Sequence, residues 1–365
     1  MKPLYVSATG QNVGKTTVIL GLFAEMCRRG TRPGYIKPVG QRWNEVDGVR
    51  ADEDAFLLHD VLDSTDALQS MSPVTIPQGF VDNYIMTRDQ QHLQEKICQA
   101  LEKLRAKHKY LIIEGTGHAG VGSCLDLSNA QVAKLAEARV VIVSGGGIGS
   151  VIDEITLNRC LFESHGVEVA GAILNKVHPD KQERVRKIVG QGLANLGTRL
   201  LGVIPFDRRL TVPTVGQIAT VLKGNIISGQ DLLDNRVDNT VVGAMEPQNM
   251  VRHIAENTLV ITPGDRIDNI LVSITYHLNR IQEKFSIAGL VLTGGLVPHF
   301  TVVDLLRRSG LPALLCQEDT YTISSYIREM VFKIRAEDSD KIATAQELVI
   351  KYVDLDTLLG EKAKR

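Results

Sequence analysis

Short, mostly apolar runs recur along the first part of the chain, at Leu4–Val6, Pro33–Val39, Tyr110–Gly117, Val140–Val143, Val167–Leu174 and Arg199–Ile204, and the one at Tyr110–Gly117 shows no alternation before its acid. A run that lacks a polar face fits a strand buried on both sides, as in a parallel sheet. Between these runs apolar residues recur every three or four positions, which is helical spacing. Val18, Leu20, Leu22, Phe23 and Met26 mark one helix, closed by Arg28, Arg29 and Gly30. Leu93, Ile97, Leu101 and Leu104 mark another over 91–107, and further helices are expected from about Val151 and over Pro179–Leu196, before Gly197. Residues 63–90 hold Pro73, Pro77 and Gly79 with little periodicity and read as a loop or insertion. With Leu4, Tyr35, Ile112, Val141, Ala172 and Gly202 as strand centres, β and α units alternate. That alternation predicts an α/β fold with a doubly wound, mostly parallel sheet.

The pattern restarts further on. Ile218–Val237 reads as a connecting stretch, followed by strand Asn239–Met245, helix Met250–Glu256, strand Thr258–Thr262 and a long helix Ile267–Gln282. Strand Ile287–Leu292, helix Val302–Arg308 and strand Ala313–Cys316 complete a smaller α/β domain. The last ~30 residues look helical, with a charged end, Glu361–Arg365, expected to fray. The expected divisions are therefore 1–212, 213–335 and a helical tail 336–365. A length of 365 residues suits about two domains.

Composition narrows the partners. A formal net charge of −1 gives no electrostatic footprint for nucleic acid or an anionic membrane. No apolar run approaches the ~18 residues of a membrane span. Met1-Lys2-Pro3 leads into a core strand without a signal-peptide pattern. The five cysteines are scattered with no CxxC pair, which suits reduced thiols in a cytoplasm. His and Cys show no metal-ligand spacing, so any metal is expected to be nucleotide-bound Mg²⁺.

The densest chemistry lies in Leu4–Thr17, LYVSATGQNVGKTT. A strand runs into a glycine-bearing loop that ends in Gly14-Lys15-Thr16 at a helix start. Backbone amides in such a loop, helped by the positive end of the helix, meet phosphate charge. Gly14 keeps the wall low, Lys15 can reach the terminal phosphates, and Thr16 can offer its hydroxyl to Mg²⁺. One letter departs from the usual P-loop spacing: glycine would fall at Thr9 and stands at Gly10.

Other candidates follow at strand ends, where ligands of parallel sheets bind. Lys37 could face a phosphate or a substrate carboxylate, or lie at the surface. In ADEDAFLL, Ala51–Leu58, the acids suit a helix dipole, while Asp54 could face Mg²⁺, which prefers carboxylate oxygens. Glu114, ending YLIIE, is placed for a second Mg²⁺-facing carboxylate, or as the partner of a helix N-terminus. His118 reads as a polar loop residue. The glycine-rich turn Ser144–Gly149 could touch substrate or only let strand and helix approach.

SATGQNVGKTT, YIKPVGQ, DEDAFLL, LIIEGTGH, AGAILNKV and LLGVIPFD, in this order, resemble the dethiobiotin synthetase family over about residues 1–210. They are closer still to the dethiobiotin-synthetase-like N-terminal domain of bacterial phosphotransacetylases. The resemblance implies ATP and Mg²⁺ as ligands, with Asn12, Val13, Gly14, Lys15, Thr16 and Thr17 on the nucleotide. It implies Thr16, Asp54 and Glu114 on Mg²⁺, and Lys37 near the phosphates or substrate. It places Asn175 and Pro205 at the adenine. Synthetases carry glycine at Ala8 and an acid at Asn12, and their diamine-binding signals are replaced by Gly40-Gln41-Arg42. These departures bear on the synthetase reaction more than on nucleotide binding.

Asp265-Arg266 and Thr293-Gly294-Gly295 resemble the motif of the DRTGG domain over about 215–330. Gly264-Asp265 at a helix start and Thr293-Gly-Gly at a strand end are two candidate anion sites, which could converge on one small-molecule ligand or on a partner subunit, or two tight turns. Long phosphotransacetylases continue into an acetyl-transfer domain, so acetyl transfer is not the expected activity of this stretch. Three functions fit: a nucleotide-binding regulatory protein, an ATP-dependent ligase acting on a small carboxylate with Lys15 and Lys37 at the transferred phosphoryl group, and an interaction module with a vestigial P-loop. By analogy a homo-oligomer is expected.

Overall fold

The computed structural model describes residues 2–87, 90–279, 285–330 and 332–360. The chain forms two compact units, one of Met1–Leu210 with Ile334–Arg365 and one of Thr211–Lys333.

The principal elements of the first unit are β1 (Leu4–Ala8), α1 (Lys15–Arg28), β2 (Gly34–Ile36), α2 (Glu53–Val61), α3 (Gln90–Lys107), β3 (Leu111–Glu114) and α4 (Asn129–Leu135). They continue with β4 (Arg139–Ser144), α5 (Gly149–Ser164), β5 (Val169–Val177), α6 (Gln182–Asn195) and β6 (Leu200–Pro205). The sheet runs β6-β5-β4-β1-β3-β2 with every pair parallel. All six predicted strand centres lie in it. Both faces of the sheet are apolar. Tyr5, Ile113, Val140, Ile142 and Leu174 face one core with Ile97, Leu101 and Ile155. Leu4, Val6, Ile112, Val141, Val143 and Ile173 face the other with Val18, Leu22 and Phe23. Each such side chain taken fully out of water is worth about 1.5–3 kcal/mol, which is why no polar alternation survives in these runs. β1 lies between β3 and β4, so the winding reverses there and opens a crevice at the carboxyl rim.

Two local expectations change. Residues 63–90 are not structureless: they hold short helices Leu68–Met71 and Phe80–Thr87 and a strand Val74–Thr75 paired with Val39–Gly40. Phe80 and Tyr84, one helical turn apart, stack with ring centroids 6.2 Å apart. Ala51 and Asp52 close a hairpin strand (Val49–Asp52, paired with Trp43–Val46) rather than opening the helix. The helix begins at Glu53, capped by the Asp52 carboxylate on the Asp54 amide at 3.0 Å.

The second unit contains α7 (Val215–Leu222), β7 (Asn225–Ser228), β8 (Asn239–Val242), β9 (Thr258–Pro263), α8 (Ile267–Asn279), β10 (Ile287–Thr293), α9 (Phe300–Ser309), β11 (Ala313–Leu315) and α10 (Thr320–Glu329). Its sheet runs β7-β11-β10-β9-β8, parallel except for the antiparallel β7–β11 pair. The stretch 218–237 is thus not a connection. Thr214 and Gln217 form a capping box that starts α7, and β7 finds its partner in β11, far along the chain. The expected helix Met250–Glu256 starts earlier, at Pro247, and ends in a 3₁₀ turn Val251–His253. The end of the expected helix Ile267–Gln282 lies outside the described residues beyond Asn279, as does the expected frayed end Glu361–Arg365.

The stretch read as a tail belongs to the first unit. Helix α11 (Ser339–Tyr352) packs along α1, and α12 (Leu355–Leu359) follows it. Ala345, Leu348, Val349, Val353 and Leu358 join the core formed by α1. Asp354 N–H donates to Leu201 O at 2.7 Å, Asp356 pairs with Arg29 at 2.6 Å, and Arg139 donates to Leu358 O. Gly21 marks the crossing: a Cβ there would lie 2.6 and 2.8 Å from Val349 Cγ1 and Cγ2. Gly21→Ala is expected to destabilise the chain. Overpacking costs typically 1–3 kcal/mol, against ~1 kcal/mol gained in helix propensity. Urea unfolding should show a lower midpoint, partly restored by Val349→Ala in the same chain. A midpoint at or above wild type would refute the crossing.

Candidate functional site

The P-loop bend sits at the carboxyl end of β1, inside the crevice. Gly14 caps α1 with φ of 99°, a left-handed conformation that favours glycine. Its Cα also faces Asn175, so a side chain at 14 would strike that amide. No side chain caps α1, which leaves its first-turn amides to the loop side. The departure at Thr9 is structural: its amide donates to Val143 O at 3.0 Å and its hydroxyl meets Ser144 Oγ at 3.0 Å. Thr9 thereby extends the seam between β1 and β4. A Cβ at Gly10 would meet nothing within 4 Å, so packing within the chain does not demand that glycine.

The loop is held from β5. Asn175 Nδ2 donates to Val13 O at 3.0 Å, and Asn175 Oδ1 accepts from the Lys176 amide at 2.8 Å. Lys176 Nζ reaches Asn12 O at 2.6 Å. Pro205, at the end of neighbouring β6, pairs in register with Val177. Asn175 and Pro205 therefore stand on adjacent strands at the carboxyl rim.

Beside the bend, four charged groups converge. Lys37 lies just past β2, Asp52 and Asp54 at the start of α2, and Glu114 at the end of β3. Their side chains are 7%, 2%, 7% and 1% exposed, so these charges face one another rather than water. Lys37 Nζ contacts Asp54 Oδ2, lies 3.1 Å from Asp52 Oδ1 and 3.9 Å from Glu114 Oε1. Thr16 Oγ1 donates to Glu114 Oε1 at 3.2 Å, and Tyr35 OH donates to Glu114 Oε2 at 2.7 Å. Burial pulls the Lys37 ammonium down, but Glu114, Asp54 and Asp52 outweigh it and hold its pKa above the ordinary lysine value. Burial pushes Glu114 up from the usual carboxylate range; Asp54 adds to the shift, while Lys37, Lys15 and the Tyr35 hydrogen bond oppose it. Burial, then the Glu114 charge, likewise raises Tyr35.

The structure thus brings Thr16, Lys37, Asp54 and Glu114 together, with Lys15 near enough to act on Glu114. The carboxylates, rather than open space, receive the Lys37 ammonium. Asp52 and Tyr35 went unread as members of this group. Both left a signal: Asp52 belongs to the same acid triplet, and Tyr35 stands two residues from Lys37, on the same side of an extended segment. Asn129 left none. Its side chain accepts from Tyr5 OH at 2.7 Å and the Thr116 amide at 3.0 Å and donates to Thr116 O at 2.8 Å, fixing the loop after β3.

The donor set was tested against Mg²⁺. Among the described residues no three His, Cys, Asp or Glu side chains form a metal cage by themselves. Two carboxylates and a threonine hydroxyl beside a P-loop bend suit an ion that takes its remaining ligands from phosphates and water. Asp52, Asp54 and Glu114 crowd around Lys37, and a cation would relieve the repulsion among these acids. The residues fit.

In the second unit the two glycine turns meet, since Gly264 N–H donates to Thr293 O at 3.3 Å. They do not form an anion nest. Gly294 N–H donates to Glu318 O at 2.7 Å and Gly295 N–H to Cys316 O at 2.9 Å, so carbonyls already take both amides. Arg266 clamps the loop after β8 through Met245 O at 2.9 Å and Ala244 O at 3.2 Å, and pairs with Asp268 at 3.0 Å. Asp265 lies two residues before α8, outside the N-cap position, and is exposed. In this arrangement the motif residues stitch turns together.

Residues 2–214 match the family model of an AAA domain, and residues 217–330 match the DRTGG domain. A phosphate acetyltransferase of Nitratidesulfovibrio vulgaris is 28% identical, over 97% of this chain and 51% of its own length. One from Pseudomonas aeruginosa is 26% identical, over 98% of this chain and 52% of its own. The chain spans about half the length of these curated relatives. Among solved structures, the MinD cell division protein of Aquifex aeolicus is 15% identical, covers 57% of this chain and 84% of its own, and superposes with a TM-score of 0.37. No described helix is long and apolar enough to cross a membrane. The protein is accordingly a member of the AAA-domain family of the dethiobiotin-synthetase-like P-loop type, joined to a DRTGG domain and homologous along nearly its whole length to about half of the long phosphotransacetylases.

Proposed function

We propose that the first unit binds ATP with Mg²⁺ and that the chain acts as a nucleotide-responsive regulatory protein, with the DRTGG unit as the part that reads the bound state. The observation that carries this reading is the convergence of Thr16, Lys37, Asp54 and Glu114 beside the Gly14-Lys15 bend. In this reading the first-turn amides and Lys15 take the phosphates, and Thr16, Asp54 and Glu114 orient the metal. Lys37 holds the two acids in place. Asn175 and Pro205 flank the base at the carboxyl rim. Mg²⁺, when bound, neutralises charge between phosphate oxygens. The chain passes from the first unit into the second after Leu210 and re-enters the first at Ile334, so the second unit is inserted within the first along the sequence.

ATP binding measured by calorimetry, with Mg²⁺ and with EDTA, tests the metal assignment. Wild type is expected to bind at least tenfold more tightly with Mg²⁺. Asp54→Asn and Glu114→Gln are expected to erase most of that difference while still binding the metal-free nucleotide. Retention of the full Mg²⁺ enhancement by both variants would remove the acids from the site. ATP turnover that stays absent or unchanged across a panel of small carboxylic acids supports regulation. Turnover that depends on one of them would move the protein to the ligases.

A further inference from the structure

The amino-terminal end of β6 lies on the rim of the sheet opposite the P-loop. A cavity of about 440 Å³ opens there, lined by Arg186, Gly190 and Ala194 of α6 and by Thr198, Arg199 and Leu200 of the following turn and strand. Small-molecule sites are typically about 300–1,000 Å³. Residues 186, 190 and 194 are four apart, so they form one stripe of α6. The stripe carries a guanidinium at one end and nothing larger than a methyl group beyond it.

Packing does not explain Gly190. A Cβ there would make ordinary contact with Leu200 Cδ2 at 3.5 Å, whereas one at Gly192 would press on Ile152 Cδ1 at 2.6 Å. The backbone at 190 is not left-handed. Glycine inside a helix is disfavoured relative to alanine. Gly192 is kept by its neighbour; Gly190 keeps only the cavity open.

The charges point the same way. Arg186 and Arg199 are exposed, and neither guanidinium has a hydrogen bond or ion pair among the described residues. Nearby Arg159 is committed, donating to Thr198 Oγ1 at 2.8 Å and to Leu196 O and pairing with Glu163 at 3.3 Å. Thr198 is buried, and its hydroxyl hydrogen goes to no described acceptor. No carboxylate lines the cavity.

We propose that this cavity is a second anion site, separate from the P-loop, that takes a small phosphate-bearing molecule on Arg186 and Arg199. Guanidinium forks match phosphate oxygens in pairs, and the Thr198 hydroxyl supplies a further donor. The proposal is independent of the nucleotide reading. Pyrophosphate is the probe, titrated by calorimetry into the full chain carrying Lys15→Ala, which silences the P-loop. Binding is expected to persist there and to weaken at least tenfold when Arg186→Ala and Arg199→Ala are added. Gly190→Leu, which fills the floor, should do the same, while Gly190→Ala should melt at or above its parent. Citrate is expected to bind at least tenfold more weakly than pyrophosphate. Loss of all pyrophosphate binding in Lys15→Ala alone, binding indifferent to the two arginines, or citrate binding equal to pyrophosphate would each overturn the proposal.

Discussion

With ATP–Mg²⁺ at about a hundredfold over Kd, wild type is expected to gain ~2.7 kcal/mol of unfolding free energy, and Lys15→Ala to lose nearly all of that gain. Lys15 is the first residue of α1 and is buried beside the bend. A cation at the positive end of a helix is unfavourable to the helix itself, so the side chain is not there for helix stability. Without nucleotide the variant sets its own baseline, since Lys15 also acts on the Glu114 charge beside it. Thermal unfolding of both chains, with and without ATP–Mg²⁺, checks this. A full ligand-induced shift in Lys15→Ala would place the triphosphate elsewhere. The absence of any shift in wild type would remove the nucleotide reading altogether.

Lys37→Met is expected to give the largest loss of intrinsic stability. It leaves Asp52, Asp54 and Glu114 facing one another in a pocket that excludes water. Removing one partner of a buried ion pair costs about 3–5 kcal/mol, because the charge left behind remains desolvated. The loss should depend on pH. Glu114 already titrates above its ordinary value of 4.5, and losing Lys37 raises it further. A carboxyl whose folded pKa is raised favours the fold below its unfolded pKa, and that contribution disappears as pH climbs through the folded pKa. The deficit of the variant should hence be smallest near pH 4.5 and widen above it. In wild type the Lys37 contribution is complete below its ordinary 10.5 and is lost only above that, so lysine titration plays no part in the acid range. Mg²⁺ should stabilise the variant more than wild type, since a divalent ion can enter where the ammonium stood. Urea unfolding across pH, repeated with Mg²⁺, measures both effects. A deficit that is flat with pH and deaf to Mg²⁺ would mean that Lys37 does not hold the acid cluster.

The first sheet was legible because its strands are buried on both faces: Tyr5 and Leu4 point to opposite cores, and both cores are apolar. The P-loop was legible from context despite Thr9, since strand, loop and helix followed in order. Lys37 and Glu114 were read as strand-end groups and Asp54 as a metal-facing acid, and all three meet. What sequence could not say was which charge would pair with which, because pairing is decided by how β2, α2 and β3 are brought side by side. The same limit hid β7, whose few residues become a strand only through Leu315 and its neighbours. Glycines at 294 and 295 were read as an anion nest or a tight turn; the backbone there is left-handed, at φ of 79° and 65°, and sequence could not say which carbonyls would claim their amides. The last thirty or so residues read only as helical, and nothing in that reading named the surface that Ala345, Leu348 and Val349 cover.

That covering helix constrains the order in which the protein can mature on the ribosome. The apolar back of α1 emerges early, but its lid is encoded after residue 333. Between the end of α1 at Arg28 and the start of α11 at Ser339 roughly 310 residues must be translated, which at ~5–20 residues per second takes roughly 16–62 s. During that interval the nascent P-loop layer carries an open hydrophobic flank, which makes it a natural client for ribosome-associated chaperones.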